Sequence, residues 1–284
     1  MSHVPTVAVV TVSFHSEGVL PAFLESVTGA CSRPVLSIVV DNSGGTSPTI
    51  GELCARYGAR LLVPGENLGY GGAINHAVAT LPSEIEWILV SNPDVELAPA
   101  SMDVLLDAVA SRPTIGAAGP TVLNRDNSVY PSARALPSLG TGIGHALFAN
   151  LWPRNPWTER YHRGVDSQGV TGWLSGSCFL VRRSVFDEVA GFDEGYFMYF
   201  EDVDLGYRIS QAGYENIYVP AASVRHSGAH STASRADAMR RAHHTSARRF
   251  LAKRYAGPRY ALVRWTLNAG LSARAALTRS RRLG

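Results

Sequence analysis

Between Thr6 and Phe14 the chain reads TVAVVTVSF, a near-continuous apolar and β-branched run. Such a run predicts a strand covered on both faces, since a half-exposed strand would alternate apolar with polar positions. Helical spacing follows over Val19 to Thr28. A second apolar run, Val35 to Val40, then stops in the turn Asp41-Asn42-Ser43-Gly44-Gly45. Thr46 or Ser47 is placed to cap a helix with Pro48 in its first turn. Ala59 to Pro64 predicts a third strand, Gly71 to Leu81 a helix, and Glu86 to Ser91 a fourth strand closing on Asn92-Pro93-Asp94. Met102 to Ser111 predicts a helix capped by Ser101, and Ile115 to Pro120 another strand. Strands alternating with helices at this spacing predict a parallel α/β sheet, Rossmann-like, with helices on both faces.

Past residue 120 the alternation gives way. Asn124 to Ser138 is turn-rich, and Leu139 to Arg163 mixes Gly, Trp and Pro as a long loop with a possible helix. Regular structure is predicted again over Gly172 to Val181, with a helix from Ser184 to Val189 and short strands at Asn216 to Val219 and Ser223 to Arg225. Between them lies GFDEGYFMYFEDVDLGYRI, Gly191 to Ile209, whose acids sit among aromatic residues. A carboxylate flanked by apolar groups is partly desolvated and its pKa rises, which suits a general base. Acids at a helix N-terminus complementing the macrodipole are the plainer account, and both hold together.

Composition narrows the class. The 284 residues, 45% hydrophobic and 17% charged, describe a globular protein with a substantial core. Cys31, Cys54 and Cys178 are odd in number and in no metal-ligand spacing, so they read as reduced thiols in a cytoplasmic compartment. No secretory signal and no uninterrupted apolar stretch long enough to cross a membrane is visible. The net charge of +3 hides an asymmetry. Arg248 to Gly284 holds ten Lys or Arg and no acid, leaving 16 basic and 23 acidic residues elsewhere. An acidic body with a basic tail points to an anionic partner for the tail.

Open α/β sheets bind ligands beyond the carboxyl ends of their strands. Three polar clusters fall there: Asp41-Asn42, the loop Glu66 to Tyr70, and Asn92-Pro93-Asp94. Neither a G-x-G-x-x-G after the first strand nor a Walker loop is present, so a dinucleotide fingerprint and a P-loop are both excluded. Asp94 can bind a hard divalent cation whose other ligands are water and phosphate, with His226, which ends a short strand, as the second candidate ligand. An Asx turn and a capping histidine are the bland alternatives. Asp41 and Asn42 could bond a nucleobase or ribose. Asn67 and Gly69 shape a loop that a ligand can approach closely, ahead of a helix N-terminus suited to phosphate. Trp173 and Ser175 could wall a sugar, although Trp is more often core.

The pieces TVSFHSEGVLPAFLESV, VDNSGGTSP, ENLGYGGAINHAV, SNPDVEL, WLSGSCFLVRRSVFDEVAGFDEGYFMYFEDVDLGYRI and VRH resemble the family 2 glycosyltransferases of GT-A fold, in the same order over about 220 residues. YPSARALPS and WPRNPW are more particularly similar to the branch that adds L-rhamnose to N-acetylglucosaminyl-diphospho-polyprenol in arabinogalactan linker synthesis. The resemblance implies that Asp41 contacts the nucleobase and that Asp94 is the metal-binding acid of a D-x-D motif whose first position is here Asn92. His226 would complete the metal site. Of the pair Glu201-Asp202, Asp202 would be the catalytic base, with Glu201 and Asp204 positioning it or bonding acceptor hydroxyls. Asn42, Asn67, Gly69, Asn75, Asn92, Arg134, Trp173 and Ser175 fall in the donor-binding segments.

An inverting transfer from dTDP-L-rhamnose, dependent on Mg²⁺ or Mn²⁺, is the implied reaction. A family 2 enzyme using a UDP-sugar and a non-catalytic nucleotide-sugar-binding protein are the rival readings. Residues 1–233 would form the catalytic domain, split into a nucleotide-sugar half (1–123) and an acceptor half (124–233). Residues 234–284 would be a helical basic segment on an anionic membrane surface, the inner face of the plasma membrane. A nucleic-acid patch, or a tail packed on the acidic body, are the readings ranked below a membrane partner.

Overall fold

In the computed structural model, residues 5–45, 47–137, 168–228, 236–262 and 264–266 are described. The expected loop of residues 139–163, the Thr46 cap, His230 and most of the tail beyond Trp265 lie outside them. Val7–Ser13 forms β1, buried at every position. Its side chains feed two cores in turn: Val7 and Val9 enter one, Ala8, Val10 and Val12 the other. A strand between two apolar layers has no solvent face, hence its valine-rich sequence with only the small Thr11 and Ser13 as polar residues.

Helix α1 (Leu20–Ala30) leads to β2 (Val35–Asp41), α2 (Pro48–Tyr57), β3 (Arg60–Leu62), α3 (Gly69–Val78) and β4 (Trp87–Ser91). Then come β5 (Val95–Leu97), α4 (Ser101–Ala110), β6 (Ile115–Leu123), β7 (Val129–Tyr130) and β8 (Ala133–Arg134). After the undescribed stretch follow β9 (Gly169–Thr171), β10 (Trp173–Leu174), β11 (Cys178–Arg182), α5 (Arg183–Glu188), α6 (Glu201–Gln211), β12 (Glu215–His226) and α7 (Ala236–Arg254). The main sheet runs β3-β2-β1-β4-β11-β6-β12-β5, while β8 and β10 form a separate pair.

The sheet is mixed, not parallel throughout. β3, β2, β1 and β4 are parallel, but β11 is antiparallel to both β4 and β6, and β5 is antiparallel to β12. The two short strands expected after residue 215 are one strand, β12, with a register shift between Val219 and Ser223 where Pro220 withholds a donor. The Gly172 to Val181 segment divides between the small sheet and the main one, breaking at Ser175-Gly176-Ser177.

Two caps differ from expectation. The Ser47 hydroxyl donates to Glu17 at 3.1 Å and makes no cap bond. Ser101 is the first residue of α4, and the N-cap is Ala100 with φ +57°.

Candidate active site

The carboxyl ends of β1, β2 and β4 open onto a cavity of 440 Å³, closed on its far side by the start of α6. Asn42, Asn67, Gly69, Asn92, Asp94, Ser175, Glu201, Asp202 and His226 all line it, so nine expected residues from six segments converge. Asn42 organises the near wall. Its Nδ2 donates to Asn67 Oδ1 and to the Gly69 carbonyl, both at 3.0 Å, and its Oδ1 accepts the Leu68 N–H at 2.9 Å. The Gly69 N–H goes to Asn67 Oδ1 and the Tyr70 N–H to the Phe197 carbonyl. The first donors of α3 are therefore used within the chain, and the helix N-terminus expected to take a phosphate is already occupied by protein acceptors. Gly69 is fixed by geometry: φ is +73°, and a Cβ would stand 2.6 Å from the Phe197 carbonyl oxygen.

Four expected residues lie off the cavity wall. Asp41 is fully buried, its Oδ1 accepting the Ser43 N–H and hydroxyl and its Oδ2 the Ser47 N–H, so both oxygens serve the turn. Asn75 staples α3 to the segment before α6, through Phe192 and Glu194. Arg134 donates to the Pro131 carbonyl and lies 5.5 and 5.6 Å from the ring centres of Tyr130 and Trp173. Trp173 backs onto Gly206 of α6, where a Cβ would come within 2.7 Å of its own Cβ.

At the end of β4, Asp94 Oδ1 is 3.1 Å from His226 Nε2, and Asn92 Nδ2 is 3.4 Å from the same nitrogen. β5 and β12 pair antiparallel with Val95 opposite His226, which is what brings these distant residues together. Burial pushes the Asp94 carboxyl up, but the hydrogen bond and charge of His226 outweigh it and hold the group below its ordinary value. An ionised carboxylate beside an imidazole, both lining the cavity, is a donor set that fits Mg²⁺ or Mn²⁺ with the other positions left to water and phosphate. Among the described residues no cluster of three protein ligands exists, so these residues form no closed structural zinc site.

Across the cavity, α6 begins after Tyr199 and Phe200, both left-handed with φ of +67° and +66°. Asp202 Oδ2 accepts the Gly176 N–H at 2.9 Å and Oδ1 the Val203 N–H at 2.8 Å. Burial raises its pKa, only partly offset by those N–H groups. Glu201 is 7% exposed, with Oε2 unpartnered; burial and then the charge of Asp202 push it up to about 8. Two neighbouring buried carboxyls, both raised and interacting with each other, are the kind of pair that carries acid–base chemistry.

Tyr70 and Gly176 are part of this site and were not expected from sequence. The Tyr70 hydroxyl donates to the Gly176 carbonyl at 2.6 Å, fixing the peptide beside the one whose N–H reaches Asp202. The only signal was an aromatic hydroxyl inside a glycine run and a glycine between two serines. Asp204, expected either to position Asp202 or to bond backbone and acceptor hydroxyls, is off the cavity wall, fully buried against Arg208 (2.6 Å) and Lys253 (2.7 Å).

The Glu201 value makes a stability prediction. The folded group titrates near 8, above its ordinary 4.5, so between these values the folded state keeps a proton that the unfolded chain has lost. Its stabilisation is complete below about pH 4.5 and is lost as pH rises toward about 8. In chelator, the midpoint of thermal unfolding should fall from about pH 5 to about pH 8 relative to Glu201→Gln. Parallel curves for the two proteins would mean that Glu201 holds no such proton.

Residues 5–245 match the family described as Glycosyltransferase like family 2. Among known proteins, the N-acetylglucosaminyl-diphospho-decaprenol L-rhamnosyltransferase of Mycobacterium tuberculosis is 47% identical over 96% of this chain and 95% of its own. Rhamnosyltransferase WbbL of Escherichia coli is 32% identical over 87% and 93%. Solved structures of similar fold include GalNAc-T7 with UDP, GalNAc and Mn²⁺ (TM-score 0.59, 19% identity, 80% of this chain and 45% of that one). A Pyrobaculum calidifontis mannosyltransferase with GDP-Man and Mn²⁺ superposes at TM-score 0.57, with 14% identity over 98% and 76%.

Proposed function

The chain belongs to glycosyltransferase family 2, with the GT-A fold, and on that basis we propose that it transfers L-rhamnose from dTDP-L-rhamnose to N-acetylglucosaminyl-diphospho-polyprenol with inversion. The observation that carries the mechanism is the single cavity with Asp94 and His226 on one side and Glu201 and Asp202 on the other. Inverting transfer needs one base in line with a leaving group, whereas glycoside hydrolysis needs carboxyls on both sides of the bond.

Asn42, Asn67 and Gly69 form the wall where the nucleoside of the donor would lie. Asp94 and His226 would hold Mg²⁺ or Mn²⁺, whose charge makes a nucleoside diphosphate a good leaving group. Asp202 takes the proton of the acceptor hydroxyl as that oxygen attacks the anomeric carbon opposite the departing diphosphate. The bonds from Gly176 and Val203 fix the carboxylate, and its raised pKa makes it a stronger base than an exposed aspartate. Glu201, still protonated at neutral pH, can present its unpartnered oxygen to a sugar hydroxyl.

A polyprenyl acceptor would call for a location on the cytoplasmic face of the plasma membrane. No described helix is long and apolar enough to cross a membrane. Past α7, Leu262 and Trp265 are 72% and 68% exposed next to Arg259 and Arg264, a composition suited to an anionic lipid surface. The basic residues within α7 itself are partly spent on the body, since Arg249 and Lys253 pair with Asp193.

The test is transfer of radiolabelled sugar from dTDP-L-rhamnose, UDP-glucose or UDP-galactose to a prenyl-diphosphate-linked N-acetylglucosamine, with Mn²⁺ present. Product from dTDP-L-rhamnose alone is the expected result. Product from a UDP-sugar instead would overturn the donor assignment, and nucleotide binding without any product would favour a non-catalytic binder.

A further inference from the structure

The segment between Phe192 and Glu201 has little regular structure, yet it carries one wall of the cavity through Phe197, Met198 and Tyr199 and delivers Glu201 and Asp202 to it. Tyr199 and Phe200 are consecutive non-glycine residues in the left-handed region. Such residues are strained and persist only where their surroundings over-determine them. Those surroundings are supplied by α7. The Ser246 hydroxyl donates to the Met198 carbonyl at 2.8 Å. His243 packs against the Tyr199 and Phe200 rings, with centroids 5.5 and 5.3 Å away. Phe250, 1% exposed, fills the space between Phe200 and Tyr207 and shares a small core with Tyr196 and Val203.

A charge network closes the clamp. Lys253 Nζ sits 2.7 Å from Asp204 and 3.0 Å from Asp193, bridging the first turn of α6 to the start of the segment. Arg249 pairs with Asp193 at 2.8 Å and lies where a Cβ on residue 195 would be, so Gly195 is the residue that admits it. Burial opposes ionisation of Asp193, but its bonds to Arg249 and Lys253 prevail and bring it down to about 2. Asp204 is fully buried, so it depends on Arg208 and Lys253 for its counter-charge.

We propose that α7 is a positioning element of the transfer reaction. Through Ser246, Phe250 and Lys253 it holds the left-handed turn at Tyr199-Phe200 and thereby aims Asp202 at the acceptor. Ser246, Phe250 and Lys253 do not line the cavity, whereas Met239, near the start of the same helix, does. The kinetic part of the proposal rests on the transferase reading above.

The experiment uses the full chain carrying Lys253→Met, Lys253→Arg or Ser246→Ala, with two readouts. In steady-state transfer, Lys253→Met should lower kcat by about 10- to 100-fold with the donor KM changed less than about threefold, since a displacement of about 1 Å is enough for such a loss. Lys253→Arg should recover most of it. The thermal shift given by dTDP should be kept, which loss of folded protein would not allow. In hydrogen exchange, amides of residues 196–204 should exchange faster in Lys253→Met while those of β1 and β4 stay protected. Unchanged kcat, or an equal loss of kcat and dTDP binding, overturns the proposal. A wild-type protein inactive with every donor would sink the transferase reading, and the exchange data would then decide the clamp on their own.

Discussion

Asp202→Asn is expected to lower kcat by about 10²- to 10⁴-fold, the range general-base catalysis contributes, with the donor KM little changed. The amide is nearly isosteric but cannot accept a proton from the acceptor hydroxyl. It carries a second effect that the measurement must separate. Both carboxylate oxygens accept backbone N–H bonds, from Gly176 and Val203, so an amide nitrogen must face one of those donors. A buried donor left unpaired costs about 1–3 kcal/mol, which lowers the midpoint of unfolding. The assay is therefore run on protein whose dTDP binding is intact, and kcat is expressed per nucleotide-binding site. Activity within about tenfold of wild type would remove Asp202 from the role of base. The pH profile supplies a further check: the acid limb of kcat should lie above the ordinary aspartate range, because burial raises the Asp202 pKa.

Asp94→Ala should cost about 10²- to 10³-fold in kcat/KM, corresponding to the several kcal/mol a divalent ion contributes at a leaving phosphate. Chelation of the wild-type protein should give a loss of similar size that Mn²⁺ or Mg²⁺ reverses. The variant should not be rescued at the concentrations that restore wild type, since His226 alone is a poor ligand for a hard cation. Full activity in excess chelator would show that the Asp94–His226 pair serves only as a hydrogen bond.

How much of this could be seen in the residues depends on whether the cause is local. β1 was legible because burial on both faces writes itself into consecutive valines. Asp94 was legible because it follows a strand, where α/β sheets gather ligands. Asp41 and Asn42 are neighbours of equal polarity, yet one is spent on Ser43 and Ser47 and the other on Asn67 and Gly69 facing the cavity. That difference is set by where α3 lies, not by the sequence near residue 41. Tyr70 and Gly176 were missed for the same reason: their bond joins residues 106 apart and exists only after β11 is in place. The antiparallel direction of β11 could not be read either, because a buried central strand looks alike in both orientations. The tail was described by its charge, while Phe250 and Lys253 are turned inward by aromatic packing and by the buried Asp204.

The position of β11 also bears on how the chain comes to be folded. β4 and β6 belong to the first half of the sequence, but neither pairs with the other, because residues 178–182 lie between them. A nascent chain ending after Leu123 would expose two apolar strand edges with unmet backbone donors and acceptors, the arrangement that invites intermolecular pairing. Those edges close only when residues 178–182 reach them from far along the chain, a non-local step of the kind that slows folding. The first 123 residues thus cannot complete their sheet alone: synthesis must pass Arg182 before β4 and β6 are joined through β11, and His226 before β6 and β5 are joined through β12.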